Sequence, residues 1–433
     1  MSGPTWYRAE HAWLGDHVAS DVLIEVRDGR FAAVTADAAV PDGATRLPGL
    51  VLPGLANAHS HAFHRALRGR THGARGSFWT WRDLMYDVAG ALDPDTYFTL
   101  ARAVYGEMAL AGITCVGEFH YLHHAPGGTP YAEPNAMGDA LIAAAAEAGI
   151  RITLLDALYL SSAVDGAPLE GVQQRFGDGD VDRWAERVDT LKPGGHALIG
   201  AAIHSVRAVP VTALANLPRP VGPLHVHLSE QRAENEQCLA VHGCTPTELL
   251  HRHGLLGAGT TAVHATHLTD GDIAALSGSG ICFCPTTERD LADGIGPARR
   301  LADAGAALSL GSDSQAVIDL FEEARGLEMD ERLATEQRGH FTIAELMAAA
   351  ANHATLGWTD AGTITVGNRA DLVAVSLDTV RTAGVDPAGA VFAATAADVT
   401  HVVTDGRMVV ADGRHTGFDV AAALRDAIAE VLP

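Results

Sequence analysis

From residue 50 onward the chain alternates apolar runs of strand length with longer helical patterns, and no other feature restricts its fold as much. Repeated strand–helix–strand units lay their strands side by side in one parallel sheet. Eight runs qualify, at 51–58, 113–119, 152–160, 198–203, 224–228, 261–264, 281–284 and 307–310. They are nearly unbroken in apolar residues, as strands buried on both faces must be. Helical stretches at 97–111, 137–148 and 297–304 are followed at once by Gly112, Gly149 and Gly305, the residue type that ends a helix in the left-handed conformation. Eight such strands over roughly 300 residues predict a (β/α)8 barrel, with an open doubly wound sheet as the structural alternative.

The text changes outside this block. Residues 20–52 and 363–415 read as short strands with turns at Asp-Gly and Gly-Asn, so both ends are expected to build one small β-sandwich domain together. The expected division is 1–52 for its first part, 53–362 for the barrel, and 363–433 for its second part plus a terminal helix.

Composition narrows the partners. With 433 residues, 47% of them hydrophobic, the chain can bury a sizeable core. Thirty Lys+Arg against 53 Asp+Glu leave a net charge of −23, which repels nucleic acid and anionic membranes and points to a small soluble ligand. Lys192 is the only lysine and sits in the apparent loop LKPGG, which sets aside a Schiff base, a P-loop and a carboxylated-lysine metal bridge. Five scattered cysteines (115, 238, 244, 282 and 284), with no CxxC, read as reduced thiols. With no leader and no long apolar span, a cytoplasmic protein is expected.

Chemistry gathers at the strand ends. His59-Ser60-His61 closes the first strand, where residues i and i+2 point to one face, so two imidazoles converge. The fifth strand ends in His225-Val226-His227-Leu228-Ser229-Glu230, the sixth in His264-Ala265-Thr266-His267 and the eighth in Gly311-Ser312-Asp313-Ser314. Barrel enzymes carry their chemistry at this face. Two histidines from the first strand, one from the fifth and an aspartate from the eighth offer Zn²⁺, or a similar borderline metal, nitrogen and oxygen ligands with an open position for water. His225 reads as a packed neighbour of the centre, and His267 as a loop residue. His120, His123 and His124 read as polar loop or interface residues.

The strings LPGLANAHSHAFHRALRG, HLSE, VHATH and GSDS resemble the metal-site motifs of the amidohydrolase superfamily, over the whole barrel and its flanking β domain. SFWTWRDLMY (77–86), EFHYLHH (118–124), HSVR (204–207) and CPTTERDLADG (284–294) are longer and less common, and resemble the formimidoylglutamate deiminase family of histidine degradation. The resemblance implies one Zn²⁺ or similar divalent metal per subunit, with His59, His61, His227 and Asp313 as ligands. It implies proton handling by Asp313, Glu230 and His264, and a dicarboxylate held by Arg82, Tyr121, His204 and Arg207. It further implies a homodimer, and a reaction giving N-formyl-L-glutamate and ammonia from N-formimidoyl-L-glutamate. Two arginines suit a dicarboxylate on chemical grounds as well, through charge-assisted contacts that are often bidentate. His64 stands where that family usually carries Gln, and is read as a tolerated substitution beside the substrate. The alternatives are another aminohydrolase, acting on a related formimidoyl or guanidino acid or on a nucleobase, and a catalytically inert scaffold.

Overall fold

Strands buried on both faces need covering on both, and the eight expected runs become neighbours in a single parallel sheet wrapped by helices. The computed structural model describes residues 4–71, 78–218 and 222–432, with side chains at all of these except 78–80. The barrel strands are Leu55–Ser60, Ile113–His120, Arg151–Leu158, Ala197–Ile203, Leu224–Leu228, Thr260–His264, Gly280–Phe283 and Ala307–Leu310, ordered in space as in sequence. The sheet closes just past its last strand. There the Asp313 N–H donates to the His59 carbonyl at 3.0 Å, and the His61 N–H donates to the Asp313 carbonyl at 3.2 Å. Below this seam Asn57 donates to Ser312 Oγ at 2.7 Å and accepts from the Ser312 N–H at 2.9 Å. The barrel, not the open sheet, is the fold.

The helices Pro94–Leu110, Ala136–Ala148 and Ala298–Asp303 occupy the three expected stretches. Gly112, Gly149 and Gly305 follow them at φ 89°, 76° and 93°. Two strand expectations need correction. The run 51–58 is two strands: Thr45–Pro53 belongs to a second sheet, and the barrel begins at Leu55. The break is at Gly54, where a Cβ would stand on Thr114 and 2.7 Å from Asp371 Cβ. Residues 363–371, within the stretch read as short strands, form turns with a single bridge from Arg369 to Arg30, and a strand begins only at Leu372–Val375.

Both ends of the chain build one mixed sheet of eight strands. Its order in space is Arg414–His415, Arg407–Ala411, Val399–Thr404, Leu372–Val375, Thr45–Pro53, Thr5–Trp13, Val18–Arg27 and Arg30–Ala36. Thr5–Trp13, ahead of the expected strands, lies inside this sheet. The Arg151 guanidinium, on a barrel strand, pairs with the buried Asp371 carboxylate and with Asp405 at 3.1 Å, tying the two sheets together. Among the described residues no helix is long and apolar enough to cross a membrane.

Candidate active site

The closing seam of the barrel brings the first and eighth strand ends together, and so sets His59, His61 and Asp313 side by side. His59 Nε2 lies 3.3 Å and His61 Nε2 3.4 Å from Asp313 Oδ1. The fifth strand delivers His227, whose Nε2 is 3.1 Å from His59 Nε2. Carbonyl groups set two of these rings: His61 Nδ1–H donates to Phe119 O at 3.0 Å, and His227 Nδ1–H donates to His204 O at 2.9 Å. Each ring then turns a bare Nε2 lone pair to the common point.

This arrangement fits a divalent cation. The ligand atoms of His59, His61 and His227 lie within 4.8 Å of one another, and all three side chains are buried. Burial pushes all three imidazoles below their ordinary pKa, so they stay neutral, as ligands must be. His59 Nε2 and His227 Nε2 approach to 3.1 Å with Asp313 Oδ1 beside them, the convergence of donor atoms that a bound cation would use. Burial works to raise the Asp313 carboxyl, but His59, His264 and His61 outweigh it and hold the group ionised. Three nitrogens and one carboxylate oxygen suit a borderline metal such as zinc.

His264 and Glu230 stand at the rim. His264 Nε2 is 3.7 Å from Asp313 Oδ2 and 4.0 Å from Glu230 Oε1, while its Nδ1 is 3.4 Å from Glu288 Oε1. Burial alone would lower its pKa, but Glu230, Glu288 and Asp313 raise it well above the ordinary value, which gives a buried imidazolium. Ser229, His264 and Asp313 have φ of 51°, 69° and 42°. Left-handed backbone at non-glycine strand ends costs about 1–3 kcal/mol per residue and gathers at sites where side chains must be aimed.

A cavity of about 380 Å³ opens above this centre. Arg82, Tyr121, His204, Arg207 and His64 all line it, together with Glu230 and His264. The Arg207 guanidinium lies 3.8 Å from Glu230 Oε2. Burial works against its charge, but Glu234 and Glu230 outweigh that effect. His64 Nε2 and the Tyr121 hydroxyl are hydrogen-bonded at 3.0 Å, and burial pushes the His64 imidazole down to about 3, so it is neutral. Every expected site residue therefore meets at one place. His59 alone lies beneath the cavity lining, fully buried.

His225 is fully buried and bonded to the Thr355 carbonyl at 3.0 Å, and His267 contacts the Asp293 carbonyl from a loop. His123 and His124 lie in a loop as expected, whereas His120 ends the second barrel strand; all three are buried, and the Arg175 carbonyl accepts from the N–H groups of both His123 and His124. Sequence reasoning missed two carboxylates. Glu118 accepts from Ser60 Oγ at 2.7 Å and the Ala62 N–H at 2.6 Å, bracing the turn that carries His61. Glu234 lines the cavity, 1% exposed, with neither oxygen hydrogen-bonded. Its spacing of four residues from Glu230, at the start of the helix Arg232–His242, was the available signal.

A profile of the amidohydrolase family matches residues 50–409. The formimidoylglutamate deiminase of Pseudomonas aeruginosa is 36% identical over 96% of both chains. The 8-oxoguanine deaminase of the same organism is 29% identical over 87% of this chain and 85% of its own. The crystal structure of an amidohydrolase from Brucella melitensis superposes with a TM-score of 0.90 at 32% identity, covering 99% of this chain and 100% of the other.

Proposed function

This chain belongs to the amidohydrolase family, and from that premise we propose that it hydrolyses N-formimidoyl-L-glutamate to N-formyl-L-glutamate and ammonia. The observation that carries the substrate is the cavity wall, where Arg82 and the half-buried Arg207 guanidinium stand above the candidate metal centre. A dicarboxylate needs two such groups, and a neutral nucleobase needs neither. The 36% identity to a deiminase of that name supports the same reading.

His59, His61, His227 and Asp313 would hold one Zn²⁺ or similar divalent ion per subunit. When bound there, such an ion supplies Lewis acidity that draws the pKa of a water toward neutrality. Asp313 takes the proton of the attacking water at its free oxygen, Oδ2, which faces His264 Nε2 at 3.7 Å. The His264 imidazolium steadies the negative charge that develops on the oxygen. Glu230, three residues past His227 and on the cavity side, carries a proton to the departing nitrogen. Water adds to the formimidoyl carbon, the carbon–nitrogen bond to the terminal NH₂ breaks, and NH₃ leaves. Arg82, Arg207, His204 and Tyr121 hold the carboxylates, with His64 alongside.

The decisive measurement is ammonia release from N-formimidoyl-L-glutamate by zinc-loaded protein, beside N-formimidoyl-L-aspartate, guanine, 8-oxoguanine and cytosine. Release confined to the glutamate compound is expected. Turnover of a nucleobase with silence on the glutamate compound overturns the substrate. We propose a cytoplasmic homodimer as the working form, which light scattering and fractionation test.

A further inference from the structure

We propose that Tyr86, Tyr159 and Gln173 form a carboxylate subsite in the cavity wall, in which Gln173 turns both phenolic O–H groups toward one carboxylate of the substrate. The proposal rests on the dicarboxylate reading above and assigns these three residues a part in it.

Hydrogen-bond accounting leads to it. Gln173 lies on the short 3-10 turn Gly171–Phe176, where its Oε1 accepts the Glu170 N–H at 3.5 Å in a capping box. With Oε1 on that side, the NH₂ group faces the two phenols. Nε2 donates to the Tyr86 hydroxyl at 3.1 Å and to the Tyr159 hydroxyl at 3.3 Å. A carboxamide has two N–H groups, and both are now used. Each phenol oxygen accepts from Gln173 and keeps its own hydrogen, for which no acceptor is present among the described residues.

Three observations give those hydrogens a destination. Both tyrosines and Gln173 line the cavity with Arg82 and Arg207. The positive charges of both arginines act on both hydroxyls. Burial raises both phenols, Tyr159 to about 12, so they remain neutral donors at any working pH. The rings are held firmly: Tyr159 packs edge-on against His204 at 4.4 Å and Phe176 at 5.4 Å between ring centroids. Two fixed O–H donors beside two guanidinium groups form a pocket of donors, the complement of a carboxylate with its four acceptor positions. A ligand presenting N–H groups there would meet donors with its own donors.

The test uses Tyr86→Phe, Tyr159→Phe and the double variant, which keep the rings, with Gln173→Leu as a fourth. Initial rates on N-formimidoyl-L-glutamate give kcat and KM, and calorimetry gives Kd for N-formyl-L-glutamate, a readout that needs no turnover. Each single Tyr→Phe change is expected to raise KM and Kd about five- to tenfold with kcat within about twofold, and the double variant about thirtyfold or more. Thermal unfolding should match wild type. With 4-(formimidoylamino)butyrate and 2-(formimidoylamino)butyrate, each lacking one carboxylate, the sensitivity should vanish for one compound and persist for the other. KM and Kd within twofold of wild type in the double variant, while wild type turns the substrate over, would overturn the subsite and leave the deiminase reading standing. A wild type that releases no ammonia yet binds N-formyl-L-glutamate through the two phenols would do the reverse. A wild type that binds no dicarboxylate overturns both.

Discussion

Two groups of buried ionisable side chains lie in the same barrel and are finished in opposite ways. One surrounds Arg187, between the second and third barrel strands and the helices that follow them. Its five N–H groups all have acceptors: Asp178 takes Nε and Nη2, Asp156 takes Nη1 and Nη2, and Asn135 takes Nη1. Trp184 and His124 donate to the same carboxylates at 3.0 Å each. The other is the histidine centre, where His59 and His227 bring ring nitrogens to 3.1 Å of each other and neither Glu234 oxygen is hydrogen-bonded. All five donors of Arg187 are used within the chain, so that pairing is architecture, whereas the histidine centre holds capacity for something the chain itself does not provide.

Four experiments can break or sharpen that contrast. Asp313→Ala should lower kcat by about 10⁴-fold or more and strip the metal, since it removes the proposed ligand and base together. Steady-state rates and elemental analysis check this, and a fully active variant would end the site assignment. Arg187→Met should do the opposite, costing about 3–5 kcal/mol in urea unfolding by leaving two buried carboxylates unpaired. Its kcat/KM per folded molecule should stay at the wild-type value; a rate that collapses with it would merge the two clusters into one functional unit.

The third test is pH. Burial raises Asp156, but the Arg187 guanidinium outweighs it and the carboxyl settles at about 2, with Asp178 lowered as well. A folded pKa below the unfolded one adds stability above pH 4 that is lost as pH falls toward 2. The Asp156 share is on the order of 2 kcal/mol. Asp156→Asn should flatten that limb of the stability curve measured by chemical unfolding, and an unchanged acid limb would show that the pairing does not set it. The smallest effect concerns His64. His64→Gln should keep KM within about threefold because Gln can still bond to Tyr121, whereas His64→Leu should raise it about tenfold. Equal KM values for the two variants would remove His64 from substrate contact.

Much of this was legible in the chain, for a physical reason. Strands covered on both faces cannot alternate polar with apolar, so the runs at 224–228 and 307–310 stand out with the same limits in the fold. His59, His61, His227, His264 and Asp313 were found because metal and barrel geometry both place such residues at strand ends. Thr5–Trp13 was missed because its register shifts between Ala9 and His11, a bulge that breaks the alternation by which a strand is recognised. The run 51–58 was misjoined because two strands of different sheets abut at one glycine. Gln173 and Glu118 gave no sign because their meaning comes from approach in space, and Glu234 offered only its spacing from Glu230. Gln173 meets Tyr86 across 87 positions of chain, and no local pattern encodes that distance.

The seam that closes the barrel also has a consequence for how the protein is made. Asn57 and Ser312, which brace it, are 255 positions apart, and Asp313 comes just after. A nascent chain that stops before Asp313 has two or three of the histidines but neither the closing hydrogen bonds nor the carboxylate between them. Reactivity is therefore withheld until translation has passed the eighth strand, and a prematurely terminated product is inert by construction.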